Sequence, residues 1–161
     1  MSTLPAGTPA TVALTKAGIA FSTHLYVHDA RATSYGLEAA ELLGLDPDSV
    51  FKTLIATVDG IPAVAIVPVS GSLDLKLFAA ARGGRRAALA DAAAAQRLTG
   101  YVVGGISPIG QRRCLPTLID SSAAALPTVY VSGGRRGLDI GIAPADLVAT
   151  TSGAYAAIAR A

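Results

Sequence analysis

The chain has 161 residues, 52% hydrophobic and 15% charged, with mean hydropathy +0.51 and a formal net charge of +2. That length suits a single domain whose core needs no disulfide staples, and so apolar a composition argues against disorder. The hydropathy reflects 33 alanines; no apolar run reaches the roughly 18 residues that span a bilayer, and the single cysteine, Cys114, excludes an internal disulfide or a multi-cysteine zinc site.

Thr8-Pro9 pairs an N-cap with a proline at the first helical position, and Gly18 is the expected stop. The stretch Met1–Lys16 has no basic residue ahead of its short apolar part, so no signal peptide and a cytoplasmic location are expected. Phe21 to Val27 alternates as a strand, with Phe21, Thr23, Leu25 and Val27 on one face and His24, Tyr26 and His28 on the other. A helix is expected from Tyr35 to Leu43, ending at Gly44. Val50–Val58 and Ile61–Val69 flank Asp59-Gly60, a hairpin signal. Asp74 caps a helix running to Arg82, and Asp91 to Leu98 reads as another that stops at Gly100. Short strands are expected at Thr117–Asp120, Thr128–Val131 and Leu138–Ile142, a helix from Pro144, and a terminal helix over the last ten residues. These elements make an α/β chain of the α+β type, a mixed sheet with peripheral helices.

Charge is unevenly spread. Residues 1–75 carry three basic and seven acidic side chains, whereas residues 76–138 carry nine basic and two acidic ones, a net +7. The middle third, punctuated by Arg85-Arg86, Arg112-Arg113 and Arg135-Arg136, is either a docking face for a polyanion or a solvated basic surface.

No zinc-protease, C-x-x-C, Walker or dinucleotide-binding motif is present, and no metal or cofactor is expected. Ser107 sits in a glycine-flanked loop, but Pro108 removes the amide that a nucleophile elbow supplies, so Ser107 reads as a loop residue. His24 and His28 lack an evident third ligand and read as polar or capping residues. Cys114 reads as a small packing residue despite its arginine neighbours. Lys52, one of three lysines against ten arginines, falls in an apolar row with Val50, Leu54, Ala56 and Val58. It either lines a cavity or snorkels from a strand end. Two glycine-rich loops, 101–110 and 130–139, suit close backbone approach to an anionic or ester-containing ligand, or two tight turns.

The strings HLYVHD (24–29), FKTL (51–54), SLDLK (72–76), ADAAAAQRLTGYVVGGISPIGQRRCLPTLID (90–120) and YVSGGRRGLDI (130–140) resemble, in order along nearly the whole chain, the YbaK/EbsC family of aminoacyl-tRNA deacylases. The resemblance implies one editing domain over residues 1–161, built on a mixed, partly barrel-like sheet related to the editing insertion of bacterial prolyl-tRNA synthetases. It implies hydrolysis of cysteine mischarged onto proline tRNA, with Cys-tRNA(Cys) as a further candidate substrate, tRNA(Pro) and prolyl-tRNA synthetase as partners, no cofactor and no membrane. Such a second hydrolytic site is needed because a pocket for a small amino acid rejects another of similar size only weakly.

Family site positions fall on Tyr26, Lys52, Gly104, Ser132 and Asp139. Lys52 would hold the terminal adenosine, the Gly104 and Gly105 amides would polarise the ester carbonyl, and Tyr26, Ser132 and Asp139 would shape the pocket. Arg112, Arg113, Arg135 and Arg136 would contact tRNA. No enzyme nucleophile is implied: the substrate thiol attacks its own carbonyl. Ala92 and Arg135 depart from the family's usual proline and lysine. The alternatives are a deacylase for alanine or another small residue, a noncatalytic tRNA-binding module, and a thiol esterase using Cys114.

Overall fold

Thr8 and Thr11 form a reciprocal capping box that starts helix α1 (Pro9–Ala17), and Gly18 ends it in the left-handed region at φ 69°. The computed structural model describes residues 7–32 and 34–161; residues 1–6, where the stretch read for a signal peptide begins, lie outside the described residues. Strand β1 (Ser22–Leu25) is shorter than the expected Phe21–Val27. Its partner strand ends at Leu138, opposite Leu25, and Tyr26 N–H then donates to Gly137 O at 3.0 Å, so pairing runs out at that turn. Leu25 and Val27 are exposed, and it is His24, Tyr26 and His28 that turn partly inward.

Helix α2 (Tyr35–Leu43) ends at Gly44 as expected. Strands β2 (Phe51–Val58) and β3 (Ile61–Pro68) form the expected hairpin, with Asp59 at φ 50° and Gly60 at φ 82° supplying the two positive angles of a type I′ turn. Strand β4 (Ser72–Leu73) precedes α3 (Leu75–Ala81), capped by Asp74, and β5 (Ala87–Leu89) precedes α4 (Ala92–Thr99), which runs from the Asp91 cap to Gly100. Strand β6 (Thr117–Asp120) leads through a 3-10 turn, Ser121–Ala125, to β7 (Val129–Arg135) and β8 (Leu138–Ile142). β7 continues four residues beyond the expected end at Val131. The glycine pair there makes an irregularity between Ser132 and Arg135 rather than the tight turn, with Gly134 at φ 108°.

Helix α5 (Pro144–Thr151) is followed by β9 (Ala154–Ala156) and β10 (Ala159–Arg160), so the expected terminal helix is absent. Asp120 is the reason. Its Oδ1 accepts the amides of Ile158 and Ala159 at 3.0 and 2.9 Å, holding the tail extended while Ile158 is fully buried.

The larger sheet has the order β5-β2-β3-β6-β9, antiparallel around β2 and parallel from β3 through β6 to β9; a second sheet has the order β1-β8-β7, and β10 pairs with β4. A parallel bridge between Val50 and Tyr130, with Tyr130 N–H donating to Ser49 O at 2.9 Å, joins the two larger sheets on one side. The mixed, partly barrel-like sheet therefore stays open. One core cluster, with Phe51, Ile55, Ile66, Ile119 and Ile140, and another, with Ala56, Val67, Phe78 and Ile158, bury both faces of the hairpin. Among the described residues no helix is long and apolar enough to cross a membrane.

Candidate functional site

The site begins as a gap in hydrogen bonding along β2. Val69 N–H donates to Val50 O, so Val50 and Val69 form a hydrogen-bonded pair, and the alternation of an antiparallel ladder turns the backbone groups of Phe51 and Thr53 away from β3. On that side β5 pairs with Ala56–Val58 and Ala90 N–H donates to Ile55 O, while β7, though packed against β2, forms a β-bridge only at Val50. Between them lies a cavity of about 370 Å³, within the size range of small-ligand sites.

Lys52 lines it from β2. The expected buried row is buried at Val50, Ala56 and Val58 but opens into the cavity at Lys52 and Leu54. Burial holds the Lys52 ammonium below its usual pKa, and among the described residues no carboxylate lies within ion-pair distance of it. Tyr26, Ser132 and Asp139 line the same cavity. The register of the second sheet brings Ser132 and His24 to either side of Asp139, and Ser132 Oγ accepts from Gly134 N–H at 3.2 Å. Asp139 is 5% exposed, and burial pushes its carboxyl up to about 7. Burial, with the Asp139 charge second, pushes the Tyr26 phenol up to about 12. The cavity thus holds a partly desolvated cation and an acid that changes charge near neutrality.

The two glycines of the 101–110 loop divide their work. Gly104 lines the cavity at φ 89°, and a Cβ there would meet the Tyr35 ring at 2.7 Å. Its N–H has no hydrogen-bond partner among the described residues. Gly105 departs from expectation: its N–H donates to Val102 O at 2.8 Å, and a Cβ would meet Arg135 Cα at 2.7 Å, so it serves a turn and a close backbone crossing. Of the two amides, that of Gly104 is the one without a partner among the described residues.

Of the arginines, Arg136 borders the cavity, its guanidinium 5.1 Å from the centre of the Tyr35 ring and its Nε donating to Val103 O at 2.9 Å. Arg135 is half-buried beside it. Arg112 and Arg113 are exposed and do not line the cavity, and Arg112 lies against Gly100. Ser107 is fully buried with Oγ accepting from Ile109 N–H at 3.2 Å, the loop role expected. Cys114 is exposed outside the cavity, not a packing residue, because Leu115 takes the buried place beside it. His24 Nε2 bonds Ser22 Oγ and His28 Nδ1 bonds Glu38 Oε1, both polar roles. No group of three metal-ligating side chains occurs among the described residues.

Sequence reasoning missed Tyr35 and Thr53. Thr53 Oγ1 is buried on the cavity-lining strand without a partner among the described residues. Tyr35 had one available signal, Gly36 in the first turn of α2, where glycine weakens a helix unless something approaches closely; Val69 Cγ1 occupies the place of its Cβ.

The sequence profile of the aminoacyl-tRNA editing domain matches residues 30–150. Over 120 residues the chain is 36% identical to a protein of Enterococcus faecalis assigned as the Cys-tRNA(Pro)/Cys-tRNA(Cys) deacylase EbsC, covering 74% of this chain and 73% of that one. A crystal structure described as a trans-editing enzyme for prolyl-tRNA synthetase superposes with TM-score 0.82 at 23% identity, covering 99% of this chain and all of that one. A hypothetical protein of known structure superposes with TM-score 0.80 at 25% identity, over 91% of this chain and 96% of its own.

Proposed function

The chain belongs to the YbaK/EbsC family of aminoacyl-tRNA editing domains, and from that premise we propose that it is a deacylase that removes cysteine from proline tRNA in trans. The observation that carries the reading is Lys52, a cation without a carboxylate partner among the described residues, lining the same cavity as Asp139, Tyr26, Ser132 and the Gly104 amide. The 36% identical relative assigned to Cys-tRNA(Pro) and Cys-tRNA(Cys) supports the substrate. All 161 residues act as one editing domain in the cytoplasm, with prolyl-tRNA synthetase as the partner that presents the mischarged tRNA.

Lys52 holds the phosphate or ribose end of the tRNA, where a compact ammonium neutralises charge. Asp139 receives the substrate's α-ammonium, and that positive charge favours its ionised form. Tyr26 and Ser132 bound the aminoacyl group. Gly104 N–H donates to the carbonyl oxygen of the ester as negative charge develops there. The substrate sulfur attacks the carbonyl carbon, the bond to the ribose oxygen breaks, and the thiol proton ends on that oxygen. The thiolactone released takes up water to give free cysteine.

The test is to incubate the protein with proline tRNA charged with Cys, Ala or Ser and follow ester loss. Cys-tRNA is expected to react far faster than Ser-tRNA, since an alcohol is the poorer nucleophile. Equal rates on both would defeat the thiol-assisted step, and preference for Ala would favour the sister activity. Cys114→Ser is expected to keep rates within a few-fold of wild type, because that thiol lies outside the cavity.

A further inference from the structure

Glu38 lies in the first turn of α2, yet its carboxylate is used outside the helix. One oxygen meets His28 Nδ1 at 2.7 Å and the other accepts the Asp29 amide at 2.7 Å. The Glu38 side chain is 8% exposed, so its carboxylate is largely withdrawn from water although Asp29 is exposed. The segment they hold has few other ties. Among the described residues, 26–32 makes two backbone bonds, Tyr26 N–H to Gly137 O and Ala32 N–H to Asp29 O, and only the first leaves the segment. Beyond the end of β1, Glu38 is what fixes its path.

The contacts continue past His28. Its ring lies 5.4 Å from that of Tyr35, Tyr35 carries the Arg136 guanidinium, and Arg136 Nε reaches Val103 O. One connected row of side chains therefore joins the end of β1, the start of α2, the β7–β8 turn and the loop after α4. Tyr26, Tyr35, Val103 and Gly104 line the cavity, whereas Glu38 and His28 do not.

We propose that Glu38, clamping His28 and the Asp29 amide, is a positioning residue that sets the spacing of the Tyr26, Tyr35 and Gly104 side of the cavity for the aminoacyl ester. The proposal rests on the deacylase reading for its substrate, not for its geometry. With the clamp gone, Tyr26 and Tyr35 lose a shared anchor, and the ester binds in more poses, fewer of them aligned with the Gly104 amide.

The test uses the full chain carrying Glu38→Ala, Glu38→Gln or His28→Ala, with amide hydrogen exchange and steady-state deacylation of Cys-charged proline tRNA as readouts. In Glu38→Ala, the Asp29 amide, which loses its acceptor, is expected to exchange about tenfold faster or more. KM is expected to rise about tenfold with a smaller fall in kcat. Glu38→Gln retains an acceptor for the Asp29 amide and a donor for neutral His28, and should restore both readouts toward wild type. His28→Ala removes one of the two bonds and should give intermediate exchange, which keeps the test alive if Glu38→Ala fails to fold. Wild-type exchange and KM in folded Glu38→Ala, or a Gln variant as impaired as the Ala one, would overturn the proposal. If the wild-type chain hydrolyses no aminoacyl-tRNA, the deacylase reading fails, and the exchange measurements still decide the clamp.

Discussion

Lys52 owes its place to the alternation of β2, which puts it one step from Phe51 in one core and two steps from Leu54 beside the other. Its charge is half-buried and finds no carboxylate among the described residues, so it is held at a cost that a bound anion would offset. Lys52→Ala should lower kcat/KM about 100-fold or more, because a misplaced ester is heavily penalised. Lys52→Arg should also lose much of the activity, since a planar fork does not replace a compact ammonium in a narrow cavity. Lys52→Ala should melt close to wild type, as loss of a desolvated charge relieves a penalty, and Lys52→Arg should as well, because it keeps the charge on a stem long enough to reach water. Single-turnover deacylation with a thermal melt checks this, and full activity in Lys52→Ala would return that lysine to an ordinary strand residue.

Asp139 gives an independent readout through pH. Its carboxyl is raised by burial from 3.8 to about 7, so between those values the unfolded chain ionises while the folded chain keeps its proton. Stability from this group is present at low pH, declines as pH rises through that window, and is flat above it. Asp139→Asn should therefore stabilise the protein more at pH 8 than at pH 4, as measured by urea denaturation at the two pH values. An equal effect at both would show that the carboxyl ionises at its ordinary value in the fold.

At the scale of elements, helices α1 to α4 were legible because their signals are local: Thr8, Asp74 and Asp91 accept amides of their own first turns, and Gly18, Gly44 and Gly100 adopt the left-handed angle that stops a helix. The β2–β3 hairpin was legible for the same reason. The tail was not, because an alanine-rich stretch has good helix propensity, and what overrides it comes from Asp120, 38 residues away in the chain from Ile158. Of the site, Lys52 stood out as a lysine in an apolar row, whereas its meeting with Asp139 depends on how two sheets join at Val50 and Tyr130. Tyr35 escaped notice because one aromatic residue at a helix start carries no periodic signal.

Asp120 also makes a prediction at this scale. Burial pushes its carboxyl up, but the Ser122 hydroxyl and the amides of Ile158, Ala159 and Ser122 outweigh that and hold it below its usual value. A depressed carboxyl contributes stability above the unfolded pKa and loses it as pH falls through the folded one. Asp120→Ala should cost about 2–3 kcal/mol near neutral pH, since the buried Ile158 amide and the half-buried Ala159 amide lose their acceptor. The loss should shrink in acid, and proteolysis should clip the C-terminal residues first. A variant as stable as wild type, with its tail uncut, would mean that Ile158 alone holds β10.

For the whole molecule, the basic middle third is distributed over more than one surface. Arg136 is occupied with Tyr35 and Val103, whereas Arg112 and Arg113 are exposed and clear of the cavity. If Arg112 and Arg113 meet the tRNA backbone, the double alanine variant should raise KM more than it lowers kcat. It should also flatten the dependence of log affinity on log salt by about 1–2, one counterion being released per phosphate contact. An unchanged slope would assign that pair to solvent.

The second sheet has a consequence for how the protein comes into being. Its order, β1-β8-β7, pairs Ser22 near one end of the chain with Gly141 near the other, and the final strand β10 pairs back to β4. Contacts of such long sequence separation close late, after a large loop entropy has been overcome. Lys52 stands on a hairpin of local contacts, whereas Asp139 takes its place only when β1 and β8, far apart in sequence, have paired. Until then the cavity has one wall and the β1 edge is bare. A chain in which that pairing has not yet closed exposes a bare strand edge, the condition under which aggregation competes with folding.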